Sequence, residues 1–87
     1  CTIYNRIPEV PKEALTALAL FNEVILEEAF KRKLAVIDLR TICNEKEDYS
    51  AVSPIEPSHQ GGIKIVNTIH KVLETHEFSR EISCVYA

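Results

Sequence analysis

Between Ser53 and Gly62 the chain sets Glu56 and His59 three residues apart, in a stretch that also holds two of the four prolines and both glycines. An acid-x-x-His pair of this kind can supply an orienting carboxylate and a general base. An imidazole titrating near ~6.5 exchanges protons at neutral pH more readily than a carboxylate titrating near ~4.3. Proline and glycine at this density fix a specific backbone path, and polar groups on such loops carry function when a rigid scaffold holds them. The plainer reading of the same residues is a helix N-terminus with ordinary turn chemistry. Asp38 is a second candidate, either as an acid at a site or as a structural carboxylate bonded to loop amides. His70 and His76 read as exposed bystanders, and the spacing from His59 through both of them fits no metal-site pattern.

These residues have to be positioned by the elements around them. Cys1-Thr2-Ile3-Tyr4 is β-branched and aromatic, which predicts a short strand, and the prolines at positions 8 and 11 break it. A long helix is predicted from about Lys12 to Lys33, with Leu18, Phe21, Ile25 and Ala29 on its apolar stripe and Leu15, Leu26 and Phe30 widening it. Leu34-Ala35-Val36-Ile37-Asp38-Leu39 follows at once, a continuous apolar run of the kind found in parallel strands buried on both faces. Strand, helix, strand is a βαβ unit, so the two strands are expected to be parallel neighbours.

An irregular polar connection from Arg40 to Ser53 leads to the Glu56 loop, with room for one short helical turn. A second helix is predicted from Gly61 or Gly62 to Thr75 or His76, its apolar pattern carried by Ile65, Val66, Ile69, Val72 and Leu73, with Ile65, Ile69 and Leu73 packing inward and Lys64 and Lys71 exposed. The tail from Ser79 to Ala87 alternates apolar and polar residues, which suits a short edge strand. In open parallel sheets ligands bind outside the carboxyl ends of the strands. Asn5, Arg6, Asp38, Arg40 and the Ser53–Gly62 loop all fall at that edge, which makes Asn5 and Asp38 candidate binding residues.

Composition narrows the function classes. Eighty-seven residues allow at most one small domain. A net charge of −3 with both signs interspersed shows no basic footprint for nucleic acid, and no apolar run is long enough to span a bilayer. Three widely spaced cysteines match neither a disulfide framework nor a zinc pattern, so reduced thiols in a cytoplasmic protein are expected. No methionine is present, position 1 included, which is expected of a processed piece or a part of something longer.

The loop resembles the last sequence block of the SGNH (GDSL-type) serine hydrolases, which reads Asp-x-x-His-Pro-Ser/Asn-x-x-Gly ahead of a C-terminal helix. Here Pro57-Ser58-His59-Gln60-Gly61 matches its Pro-Ser-x-x-Gly half, and the upstream strand ending in Asp38-Leu39 resembles the lead-in to that block. The resemblance implies a three-layer α/β/α, flavodoxin-like fold with a mostly parallel sheet. This chain would be a βαβ-loop-α segment of it, residues 1–87 forming the C-terminal part of a larger domain. The implied chemistry is hydrolysis of a small-molecule carboxylic ester by a serine nucleophile, without a cofactor.

The chain departs from the family pattern where it matters most. The family's catalytic aspartate falls on Ser53 and its catalytic histidine on Glu56, and the Gly-Asp-Ser nucleophile block and the oxyanion-hole blocks are absent from these residues. A register shifted by one turn makes His59 the base with Glu56 orienting it, at the expense of the Pro57-Ser58 and Gly61 matches. Two further readings stand beside a hydrolase segment. One is a catalytically inactive relative kept for binding or assembly; the other is an independent small α/β interaction module. An uncovered parallel sheet is expected to need either the rest of its domain or a second copy of the chain against it.

Overall fold

Pro11 opens the first long helix, and the computed structural model, which describes residues 1–6, 10–53 and 55–87, shows how the rest follows. Helix α1 runs over Lys12–Lys31, with Glu13 in its first turn and Lys31 in its last, each matched to the helix dipole. It ends two residues before the predicted limit in a Schellman turn. Lys33 takes a left-handed conformation (φ 56°), its amide bonds to the Phe30 carbonyl, and the Leu34 amide reaches back to Ala29 at 2.9 Å. Strand β1, Ala35–Ile37, starts immediately after. It is shorter than the predicted run from Leu34 to Leu39, because the Asp38 side chain accepts from the Arg40 amide and caps a short helix α2, Leu39–Ile42. A 3-10 turn follows at Lys46–Asp48, then helix α3, His59–Thr75, a second 3-10 turn at Phe78–Arg80 and strand β2, Cys84–Tyr86.

The two strands form a parallel sheet in which Ala35, Val36 and Ile37 pair with Cys84, Val85 and Tyr86. The chain is thus of mixed α/β character, and the tail strand expected from its alternation is present at the edge. The N-terminal segment differs from expectation. Thr2 does lie beside β1, its amide bonding the Ile37 carbonyl at 2.9 Å, but Thr2–Tyr4 is not a strand. Both backbone groups of Ile3 are taken by the side-chain amide of Asn22 on α1, at 2.6 and 2.8 Å. One primary amide stands in for a strand neighbour, which satisfies the backbone without a ladder. The prediction for residues 7–9 and Pro54 lies outside the described residues.

The core is small: Ile37, Leu39 and Val72, with Tyr4, Ala35, Ile42, Ile65 and Tyr86 packed around them. On α1 the inward stripe is Leu18, Asn22, Ile25, Leu26 and Ala29, while Phe21 (60% exposed) and Phe30 lie outside it. Helix α3 is turned relative to the predicted face. Gly61, Ile65, Thr68 and Val72 look inward, so Val72 is 7% exposed and Leu73 is 66% exposed, with Ile69 also largely outside. The cause is local. A Cβ at Gly61 would overlap the Asp48 carbonyl oxygen, so glycine alone lets the helix approach the 3-10 turn this closely, and that contact sets the rotation. Lys71 is exposed as expected, whereas Lys64 is drawn into an ion pair with Asp48. Among the described residues no helix is long and apolar enough to cross a membrane.

Candidate functional site

Asp38 stands where β1 ends, and both of its oxygens are engaged. Oδ1 accepts from the Thr2 hydroxyl at 2.9 Å and from Arg40 Nε at 2.8 Å, and Oδ2 accepts from the Arg40 guanidinium at 2.8 Å. The Arg40 hydrogen bonds hold the carboxyl below the usual carboxylate range against the opposing pull of burial, and Thr2 adds to them. The Thr2 oxygen accepts the Leu39 amide in turn, at 2.8 Å. Asp38 therefore ties the N-terminal segment to the first turn of α2. This Thr2–Asp38 pair is a hydroxyl on a carboxylate, the arrangement that activates a nucleophile, but Thr2 is 2% exposed and closed to a substrate. Asn5 is half-buried and Arg6 exposed just beyond it on the same segment.

The Glu56 loop is held through its backbone. The Glu56 amide donates to the Ser53 carbonyl at 2.9 Å, the Glu56 carbonyl accepts from the Ser50 amide at 2.9 Å, and the Ile55 carbonyl accepts from the Tyr4 hydroxyl. Pro57 forms an antiparallel bridge with Tyr49. The side chains of Ile55, Glu56 and Pro57 are exposed throughout. Glu56 is thus an open carboxylate on a pinned main chain. Ser53 is half-buried, and its amide donates to the Ser50 hydroxyl at 3.3 Å.

Two tyrosines organise the surroundings of this loop. Tyr4 and Tyr49 meet edge to face, with ring centroids 5.0 Å apart. The Tyr49 hydroxyl donates to the Cys43 carbonyl at 2.8 Å and accepts from the Arg6 amide at 2.7 Å. Burial raises the Tyr4 phenol above its ordinary value, and the nearby Cys43 thiol and Glu56 carboxylate raise it further. Cys43 itself is 1% exposed, and burial pushes its thiol up, aided by Asp48, so it is a packed side chain and not a nucleophile.

The loop enters α3 through Ser58, whose hydroxyl oxygen accepts the Gly61 amide at 3.1 Å and donates to the Glu47 carbonyl. Beneath that turn lies Asp48, with no solvent exposure. It receives Lys64 Nζ and Gln60 Nε2 at 2.8 and 2.9 Å, and the Glu45 amide at 3.0 Å. Burial alone would raise its carboxyl, but the hydrogen bonds from Lys64, Glu45 and Gln60 outweigh it and hold the group below the usual range. His59 opens α3 as an exposed residue beside a shallow apolar depression of about 320 Å³, lined with Gly62, Ile63, Val66 and Asn67. Among the described residues no hydrogen bond or ion pair joins the side chains of Glu56 and His59, and no serine hydroxyl is bonded to either.

No family model, curated protein or solved structure matches the chain. The site therefore stands on its own geometry. Asn22, Asp48, Tyr4 and Tyr49 escaped the reading of the sequence. Only Asn22 left a signal there, as a lone amide within an apolar helical stripe. The partners of the other three lie across loops whose paths no periodicity sets.

Proposed function

We propose that the chain is the C-terminal segment of an SGNH-like, three-layer α/β/α hydrolase domain that cleaves a small-molecule carboxylic ester. Glu56 sits in the position of the family's base, and the serine nucleophile and oxyanion donors come from outside these 87 residues. The observation that carries this reading is the exposed Glu56 carboxylate on a main chain pinned at the Ile55 carbonyl and at both of its own backbone groups. Catalytic groups must be held within a fraction of an ångström of the productive geometry, and a loop with its backbone bonds satisfied meets that need. The three free thiols, Cys1, Cys43 and Cys84, go with a cytoplasmic setting.

A second reading is favoured by the substitutions at the two family positions. With Ser53 and Glu56 in place of aspartate and histidine, the scaffold serves binding or assembly without catalysis. The two separate on one experiment with the gene product that contains this chain. A fluorophosphonate probe is expected to label a serine outside the 87 residues, and Glu56→Gln is expected to lower kcat on a p-nitrophenyl ester by on the order of 10²-fold. Turnover that survives Glu56→Gln but not His59→Ala moves the base to His59. Absence of both label and turnover leaves the binding reading.

A further inference from the structure

We propose that Tyr4 is a positioning residue for Glu56: its hydroxyl sets the Ile55–Glu56 peptide, and through it the direction of the carboxylate. This rests on the reading of Glu56 as the functional group. The side chains of Ile55, Glu56 and Pro57 are exposed, so the segment gains little hold from burial. Its position comes from backbone hydrogen bonds. Those from Glu56 to Ser53 and from Ser50 to Glu56 are internal to the excursion between Tyr49 and Pro57. They fix its shape but not its placement against the sheet. The bond from the Tyr4 hydroxyl to the Ile55 carbonyl spans 51 residues and ties the excursion to the segment beside β1.

Tyr4 is itself fixed. Its ring lies edge-on to Tyr49 at 75°, and Tyr49 joins the Cys43 carbonyl after α2 to the Arg6 amide after the N-terminal segment. The two rings thereby link three connections at the carboxyl edge of β1. Removing the Tyr4 hydroxyl leaves the ring contact in place and releases only the Ile55 carbonyl. An error of about 1 Å in the placement of a reacting group costs up to ~10²-fold in rate, so this release is read out in turnover.

The test uses the gene product containing this chain, with Tyr4→Phe, Glu56→Gln and the double variant. Kinetics on a p-nitrophenyl ester are measured together with amide exchange at Ser50 and Glu56. Tyr4→Phe is expected to lower kcat about tenfold with KM within about twofold, to leave the thermal midpoint unchanged and to speed exchange at both amides. The double variant is expected to lose no more than Glu56→Gln alone, because Tyr4 acts through that carboxylate. Unchanged kcat, losses that add in full, or a lowered thermal midpoint with unchanged exchange each overturn the inference and leave the hydrolase reading intact. A wild-type product without turnover overturns the hydrolase reading and this inference with it, whereas turnover indifferent to Glu56→Gln overturns this inference and passes the base to His59 within the hydrolase reading.

Discussion

Asp48 is the residue on which the entry to α3 turns. Its carboxylate has no solvent exposure and meets Lys64, Gln60 and the Glu45 amide, and its carbonyl meets the Ser58 amide. Asp48→Asn keeps the shape but removes the charge, and at pH 7 is expected to cost about 2 kcal/mol in a urea titration, the scale of a hydrogen bond to a charged group. The acid response follows from the sign of the shifts. Asp38 and Asp48 both titrate below their ordinary range in the fold, so the unfolded chain binds more protons around and below ~3.9. Their contribution is complete above that range and is lost as pH falls through the folded values. The urea midpoint is expected to hold steady from pH 7 to about 5 and drop below about 4, with a shallower drop in Asp48→Asn. A midpoint insensitive to acid would remove both carboxylates from the stability of the fold.

At the scale of elements, two helices show where their ends and faces come from. The turn that closes α1 holds Lys33 in the left-handed region, which a side chain enters at a cost of about 1–2 kcal/mol while glycine enters freely. Lys33→Gly is therefore expected to raise stability by about 0.5–1 kcal/mol, after the entropy glycine adds to the unfolded chain. A loss would mean that the Lys33 side chain stabilises the fold in some other way. Helix α3 offers a sharper comparison, because adjacent residues on it have opposite fates. Val72 lies in the core and Leu73 faces out. Val72→Ala is expected to cost on the order of 2 kcal/mol, and Leu73→Ala under about half a kcal/mol despite the larger side chain removed. The reverse order would restore the face predicted from the apolar spacing.

At the scale of the whole molecule, the surface is large for the mass. The chain exposes 6134 Å², against about 5,200 Å² for a globular monomer of 9.9 kDa. Leu20, Phe21 and Val24 on α1 and Val66 and Leu73 on α3 are each more than half exposed. A two-stranded parallel sheet with so small a core is not expected to stand by itself. The isolated chain should show a mass that rises with concentration in light scattering, an unfolding transition without two-state cooperativity and no turnover of a p-nitrophenyl ester. A cooperative monomer of 9.9 kDa would defeat the expectation for folding, and ester turnover by it would place the nucleophile within these residues.

The sequence by itself determined the two long helices, the apolar strand between them, the tail strand and the loop that carries Glu56 ahead of His59. Each is marked by short-range chemistry: a helical period, a β-branched run, prolines and glycines. It did not determine which way α3 faces, because Val72 and Leu73 are equally apolar, and the choice falls to the contact of Gly61 with the Asp48 carbonyl. Nor did it show that Thr2–Tyr4 gives up its strand. Asn22 satisfies Ile3 from a helix nineteen residues away in sequence. The placement of Glu56 belongs to the tertiary structure for the same reason: the hydroxyl that sets it comes from Tyr4, and residues 51 apart in sequence meet only when the intervening chain has folded.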